Sequence, residues 1–343
     1  MNSFGNSFWE RYSRQLVLPV IGKEGQLKLK ESSVAVIGCG ALGTTSSMLL
    51  ARAGVGRIKV IDRDYLELHN LQRQILYDEE DVLRAEPKAV ICARKLKAIN
   101  SSIEVEAVVD DVSSENVEDL IRDVDLVVDG LDNLETRFIV NDAALKLSKP
   151  WIYGSVISTY GVSMNIIPGE TPCLRDLIPH LPPPGSLPTC ETAGVLNAAA
   201  IMVASIQVTE AIKILTGQEY FKDELLFMDP WNREFKRIKV RRSPSCPSCV
   251  KKRYEFLERR GTRSIVLCGR NAVQVMPPRK ASLNLGKLAE KLSKIGVVKY
   301  SSHMLLFKSG SYEIALFPDG RAIIKGTSDG KVARAIYSKY IGV

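Results

Sequence analysis

The sequence predicts an α/β fold: a Rossmann-like, doubly wound, mainly parallel sheet, followed by a second, small α+β domain. Three observations predict it. Short, continuously apolar runs alternate with helical patterns through the first part of the chain, and the first run ends in the turn Gly38-Cys39-Gly40-Ala41-Leu42-Gly43. The alternation then stops at a basic, proline-containing stretch, Arg241 to Arg260. Continuous apolarity marks strands covered by helices on both faces, as in parallel sheets.

In chain order, residues 1–30 read as a helical segment. Met1 to Gln15 carries Glu10, Arg11 and Arg14 and has no continuous apolar run, unlike a signal peptide. Ser33 to Gly38 reads as a strand and Ala41 to Ala53 as a helix stopped by Gly54. Further strands are expected at Arg57 to Asp62, Ile103 to Val109, Asp125 to Asp129, Trp151 to Val156 and Val162 to Ile167, with helices at Pro87 to Ile99 and Asn133 to Leu147. Pro179, Pro182, Pro183, Pro184 and Pro188 impose an extended loop without helix on Leu177 to Thr192. Gly194 to Leu215 is the most apolar stretch, but Asn197, Gln207, Glu210 and Lys213 interrupt it. Those residues are expensive in hydrocarbon, so a buried or interface helix is expected, with no membrane span. Leu225 to Asp229 and Glu234 to Val240 read as a hairpin or late strands. The expected division is a sheet domain over 31–245, a linker carrying a cysteine pair over 246–260, and an α+β module over 261–343. That module combines Ser264 to Met276, a helix at Leu285 to Lys294, short strands from Val297 to Ile324 and a helix near Lys331 to Tyr340.

Composition bounds the function. With 343 residues, 45% hydrophobic and 25% charged, the chain is long enough for about two domains with real cores, and it is neither disordered nor fibrous. Seven cysteines, an odd number, fit reduced thiols and a metal site better than a disulfide framework, and an N-terminus unlike a signal peptide makes a cytoplasmic chain the expectation. The net charge of +8 is compatible with anionic partners or with a plain basic surface. The run Lys251-Lys252-Arg253 and the pair Arg259-Arg260 lack interleaved aromatics, so a solvated linker face is expected and nucleic acid is not. His69 and His303 have no partner spacing that suggests a metal pair or a triad.

The turn from Gly38 to Gly43 matches G-x-G-x-x-G between a strand and a helix, where Gly38, Gly40 and Gly43 let backbone N–H groups approach a phosphate. Asp62 ends the next strand, 19 residues after Gly43, where a carboxylate holds ribose hydroxyls. These features alone fit ATP and NAD equally. Lys88 falls in the first turn of a helix, where the macrodipole disfavours a cation unless an anion is near. Asp132 follows a strand and precedes a helix with Glu135 three residues on; it is a helix cap, a magnesium ligand at the carboxyl edge of the sheet, or both. Arg73, in Asn70-Leu71-Gln72-Arg73-Gln74, offers a planar fork suited to phosphate. Cys190 stands just before a helix, whose start lowers a thiol pKa. Cys39 and Cys92 read as packing residues. Cys246-Pro247-Ser248-Cys249 is half of a zinc knuckle.

Together, Arg11-Tyr12-Ser13-Arg14-Gln15, Gly38 to Gly43, Asp62 with Asp64, Asn70 to Gln74, Pro87-Lys88 and Asp132-Asn133 resemble the ThiF/MoeB adenylyltransferases over about residues 8 to 250. These are relatives of ubiquitin-activating enzymes that activate ubiquitin-fold sulfur carriers. The resemblance implies that Asp62 holds the ribose, that Asn70, Arg73 and Lys88 bind the nucleotide, the last two on phosphates, and that Asp132 binds magnesium. It implies that Arg14 comes from the partner subunit of a homodimer. The reaction would be attack by a carrier's C-terminal glycine carboxylate, at a Gly-Gly end, on Mg-ATP. In one branch Cys190 would then link covalently to the carrier; in the other, adenylation alone suffices. The second half of the family's zinc knuckle is another C-x-x-C, but here it reads Cys173-Leu174-Arg175-Asp176. A Cys₃Asp zinc site is expected if zinc is bound, with His180 as another candidate for the fourth position. An NAD-dependent oxidoreductase explains the glycines and Asp62 but leaves Arg73, Lys88 and the cysteine pair idle; a noncatalytic nucleotide-binding scaffold is a further alternative. The sequence does not choose among thiamine, molybdopterin, tRNA thiolation and conjugation pathways.

Overall fold

Ile37 stands opposite both Ile61 and Asp129 in the central sheet, so three strand ends finish level, and the loops that follow them face one another. The computed structural model describes residues 8–183, 186–258, 264–267, 271–277 and 281–342. Met1 to Ser7, Pro184, the pair Arg259-Arg260, Val343 and part of the expected Ser264 to Met276 segment lie outside the described residues.

The strands of the first sheet are β1 (Ser33–Ile37), β2 (Arg57–Ile61), β3 (Glu104–Val108), β4 (Leu126–Asp129), β5 (Trp151–Ile157), β6 (Tyr160–Ile166), β7 (Glu224–Asp229) and β8 (Glu234–Lys239). Their spatial order is β3-β2-β1-β4-β5-β6-β7-β8. The first five pair in parallel and the last three are antiparallel. Because the chain steps outward from β1 to β2 and β3, then returns to place β4 on the other side of β1, the crevice between β1 and β4 is a topological switch point.

The helices up to the linker are α1 (Phe8–Arg11), α2 (Ser13–Leu16), α3 (Gly22–Glu31), α4 (Ala41–Ala53), α5 (Glu79–Leu83), α6 (Lys88–Ile99), α7 (Val117–Ile121), α8 (Leu134–Lys146), α9 (Leu174–Leu177), α10 (Cys190–Ala193), α11 (Asn197–Thr216) and α12 (Glu255–Glu258). Alternate residues of β1 face opposite layers. Val34 and Val36 pack with Leu50, Ile91, Cys92 and Val208 under α4, α6 and α11; Ala35 and Ile37 pack with Val117, Phe138 and Trp151. Full burial of such side chains stabilises the fold by about 1.5–3 kcal/mol each. Cys39 and Cys92 are buried in this core, as packing residues should be. Helix α11 packs against α4 and β5, and its Gln207 donates to the carbonyls of Asp129 and Ile152 at 3.0 and 3.1 Å. That polar interruption therefore serves the sheet.

Two local expectations are corrected. The loop from Leu177 to Thr192 was expected to hold no helix, yet α10 begins inside it, because Thr189 caps the turn by accepting from the Thr192 amide. The cap of α8 is Asn133, whose side chain accepts from the Thr136 amide at 2.9 Å; Asp132 precedes it.

A second, antiparallel sheet follows: β9 (Ser264–Leu267), β10 (Ala272–Val275), β11 (Val297–Tyr300), β12 (Leu305–Ser309), β13 (Tyr312–Leu316) and β14 (Ala322–Lys325), in the order β11-β12-β13-β14-β10-β9. Helices α13 (Leu285–Leu292) and α14 (Gly330–Tyr340) cover one face around Phe307, Leu316 and Tyr337.

Candidate active site

Three glycines make the crevice narrow enough to bring backbone to a ligand. Gly38 has φ of +97°, a left-handed conformation that a side chain would strain. A Cβ on Gly38 would lie 2.4 Å from the Gly130 carbonyl oxygen, and one on Gly43 would lie 1.7 Å from that of Gly38. Gly40 is the N-cap of α4, the 13-residue helix whose N-terminus faces the crevice. Gly130 was missed from sequence, since it lies outside the G-x-G-x-x-G pattern.

Asp62 closes the same turn from β2. Its carboxylate accepts from the Cys39 amide at 2.6 Å and the Asp64 amide at 2.7 Å. Burial raises its pKa above the usual carboxylate range, with Lys88 opposing. Lys88 occupies the first turn of α6 behind Pro87, as the sequence predicts, and is only 3% exposed. The anion that offsets its position is Asp64: Nζ meets Oδ2 at 2.9 Å, and the Lys88 amide donates to the Asp64 carbonyl at 2.9 Å. Asn70 is buried in a short turn, where its side chain accepts from the Glu67 amide at 3.0 Å. Arg73 is half-buried and donates to the His69 carbonyl at 3.0 Å.

Asp132 is exposed at the carboxyl edge, where its carboxylate accepts from Asn133 Nδ2 at 3.4 Å, and Asn133 is the residue that caps the helix. The loop that carries it is fixed by a buried pair the sequence reading did not single out. Arg137 Nε meets Asp129 Oδ2 at 2.9 Å, and Nη2 donates to the carbonyls of Leu131 and Gly154 at 2.6 and 2.7 Å. Arg63, also missed, pairs with Asp111 at 2.9 Å; burial pushes its pKa down, but Asp111, Asp132 and Asp64 together outweigh that and raise it. The signal available was the alternation Asp62-Arg63-Asp64.

Cys190 is half-buried at the head of α10, within the electrostatic reach of Asp132, Arg73 and Arg137. Its thiol pKa is raised, by burial first and Asp132 second, against Arg73 and Arg137. The lowering that a helix start can bring does not prevail here: α10 spans four residues and has little dipole to offer. Arg14 is not in this crevice. Its neighbour Gln15 donates to the Ala53 carbonyl at 3.1 Å, at the far end of α4, about 20 Å of helix from Gly40.

Away from the crevice, Cys173, Asp176, Cys246 and Cys249 form a buried cluster whose ligand atoms all lie within 4.8 Å of one another. Cys173 Sγ and Cys246 Sγ are 3.6 Å apart, and Cys249 Sγ is 3.2 Å from Asp176 Oδ2. Ligands about 2.0–2.3 Å from a tetrahedral zinc are separated by roughly 3.3–3.8 Å; these two contacts are close to that spacing, and three thiols with a carboxylate are donors that suit zinc. Asp176 is oriented by the amides of Cys173 and Ser243, at 2.8 and 2.9 Å. His180 is exposed and outside the cluster, which removes it as the fourth ligand.

The ThiF family model matches residues 12–248, which span the first sheet and all of the cysteine cluster but Cys249. The chain belongs to the ThiF family. A sulfur carrier protein ThiS adenylyltransferase of Bacillus subtilis is 45% identical over 336 residues, covering 97% of this chain and 99% of that protein. A sulfur carrier protein adenylyltransferase of Thermus thermophilus is 43% identical over 246 residues, covering 70% of this chain and 90% of its own. Among solved structures, Escherichia coli MccB with ATP superimposes with a TM-score of 0.61 at 22% identity, covering 72% of this chain and 75% of that one, and shares the fold. The Bacillus match runs into the second sheet, whereas the Thermus match has the length of the ThiF region alone.

Proposed function

We propose that this ThiF-family chain is an ATP- and magnesium-dependent adenylyltransferase. Its substrate would be the C-terminal glycine carboxylate of a ubiquitin-like sulfur-carrier protein ending in Gly-Gly. The observation that carries the reading is the convergence of Gly38, Gly40, Gly43, Asp62, Lys88, Arg73 and Asp132 on the carboxyl edge around β1 and β4. A carboxylate oxygen of the carrier bonds to the α-phosphorus, the bond from that phosphorus to the bridging oxygen breaks, and pyrophosphate leaves with the electron pair. Two anions must meet, so catalysis is chiefly electrostatic. Asp132 would hold magnesium, which neutralises phosphate charge when bound. Asp62 would hold the ribose, with Asn70, Lys88 and Arg73 around the nucleotide.

Arg14 is placed by its own chain at the wrong end of α4, which supports a homodimer in which each subunit supplies Arg14 to its partner. Val17 and Val20 beside it are 72% and 63% exposed, an apolar surface suited to such an interface. Cys173, Asp176, Cys246 and Cys249 would hold a structural zinc, and Cys190 would serve only a thioester or persulfide step after adenylation. Six free thiols among the described residues support a cytoplasmic setting. We divide the chain into an N-terminal helical segment, the adenylation domain to residue 245, the knuckle half and linker, and the module from residue 261. ATP–pyrophosphate exchange dependent on a Gly-Gly carrier tests the reading. Exchange that survives Asp132→Ala would remove the magnesium role, and stabilisation by NAD but not by Mg-ATP would favour an oxidoreductase.

A further inference from the structure

The second sheet is packed on the segment that follows β2, next to the nucleotide crevice. Tyr65, 3% exposed, lies among Ala272, Met304, Ala315, Phe317 and Ile323, and its hydroxyl donates to Glu313 at 2.8 Å. Lys325 pairs with Glu67 and with Glu313. Gln274 donates to Asp111 at 2.7 Å, and Ser301 donates to the Ala85 carbonyl at 3.2 Å. These contacts fall on residues flanking Asp62, Asp64 and Lys88.

Arg321 concentrates the effect. It is completely buried and lies over the Phe317 ring, 3.7 Å from its centroid. Its Nη1 donates to the Arg63 carbonyl at 2.7 Å, while Nε and Nη2 find no hydrogen-bond partner among the described residues. Burying a guanidinium so sparsely bonded is costly, and an apolar side chain would pack there at less expense. Its one side-chain hydrogen bond among the described residues leaves the module and lands between Asp62 and Asp64. From Arg63 the connection is continuous: Asp64 holds both the amide and the ammonium of Lys88.

We propose that Arg321 is a positioning residue for the nucleotide, and that the C-terminal module clamps the Asp62–Glu67 loop so that Asp62 and Lys88 are in place before ATP arrives. Ordering a loop beforehand removes part of the cost of binding. The inference rests on the ATP-dependent reading above and assigns the module a part in it.

Arg321→Met keeps volume but removes the donor to Arg63, and Arg321→Lys restores one. The readouts are calorimetric affinity for Mg-ATP and amide hydrogen exchange across residues 62–67, both on the full chain. Arg321→Met should weaken ATP about tenfold, as loss of a charge-assisted hydrogen bond does, and speed exchange in that loop. Arg321→Lys should recover most of both. A folded Arg321→Met chain with wild-type affinity and loop exchange would overturn the proposal, as would a lysine variant no better than methionine. If Arg321→Met does not fold, Tyr65→Phe decides: weaker ATP binding with faster loop exchange supports the clamp, and no change in either refutes it. A wild-type chain that binds no ATP would instead sink the functional reading, which these variants leave untouched.

Discussion

Gly43→Ala tests the crevice where its geometry is tightest. The new methyl would lie 1.7 Å from the Gly38 carbonyl oxygen and 2.8 Å from the carbonyl carbon. A carbon seated against a carbonyl oxygen needs roughly 3.3 Å, so the loop and α4 must separate by about 1.5 Å. No rotamer relieves the clash, because the obstacle is backbone. Gly38 has little room to retreat: its amide donates to the Ile61 carbonyl at 2.7 Å, and its α-carbon faces the Gly130 carbonyl. Overpacking of this kind costs about 3 kcal/mol, which lowers Tm by roughly 6–12 °C in a domain of this size. Gly40→Ala is the control. Its Cβ would meet only the Gly130 oxygen, at 3.8 Å, and Gly40 has φ of −86°. It should shift Tm by no more than about 2 °C, yet weaken ATP about tenfold by standing where phosphate approaches the helix start. Calorimetric melting and ATP titration of both variants separate the effects. A Gly43→Ala chain that melts with the wild type, or a Gly40→Ala chain that falls as far as Gly43→Ala, would refute the steric reasoning.

Lys88→Met removes the buried ammonium partner of Asp64 and should cost about 3–5 kcal/mol by urea titration, with pyrophosphate exchange lost. Asp176→Ala should reduce bound zinc well below one per chain in metal analysis of the purified protein, whereas Asp176→Cys should retain it; full occupancy in the alanine variant would exclude Asp176 as a ligand. At Asp123, burial raises the carboxyl pKa, but hydrogen bonds from Lys59 and Arg57 outweigh it and hold the value down to about 2. A depressed carboxylate adds stability that is complete above its unfolded value near 4 and lost as pH falls toward 2. Asp123→Asn should therefore flatten the decline of the urea midpoint between about pH 5 and pH 3. Because burial raises the Cys190 thiol, iodoacetamide should modify it more slowly at pH 7 than a free thiol and much faster above pH 9, read by mass spectrometry.

Strands β1 and β4 were the most legible because parallel strands buried on both faces leave continuous apolar runs, as Val34 to Ile37 and Leu126 to Val128 do; β3, at the sheet edge, alternates Glu104 and Glu106 with apolar residues instead. The glycine turn and Asp62 were legible because their spacing is local. What escaped is held by distant partners. Gly130 is required by Gly38, far away in sequence, and the Asp129–Arg137 pair joins a strand end to a helix face. Asp132 and Asn133 are adjacent, and either chemistry suits a cap, so only backbone geometry decides that Asn133 takes it. The cysteine cluster was readable as two half-motifs; the 73-residue separation of Cys173 from Cys246 left its closure to the fold.

On the proposed function, charge balance argues that one subunit would not complete the site. Around the crevice, Lys88 is paired with Asp64, Arg63 with Asp111 and Arg137 with Asp129, so each of these cations is already close to neutralised. Arg73 donates its hydrogen bond to the His69 carbonyl, which supplies no full countercharge. ATP carries several negative charges and the carrier's carboxylate adds another. On the proposed mechanism, a single chain would offer Arg73 and a magnesium on Asp132 against that total. Arg14, exposed at the far end of α4 and carrying its charge to a different surface, is the cation that a second copy would bring. In the proposed homodimer, two chains related by a twofold axis across that apolar surface would then each correct a deficit that neither could correct within its own fold.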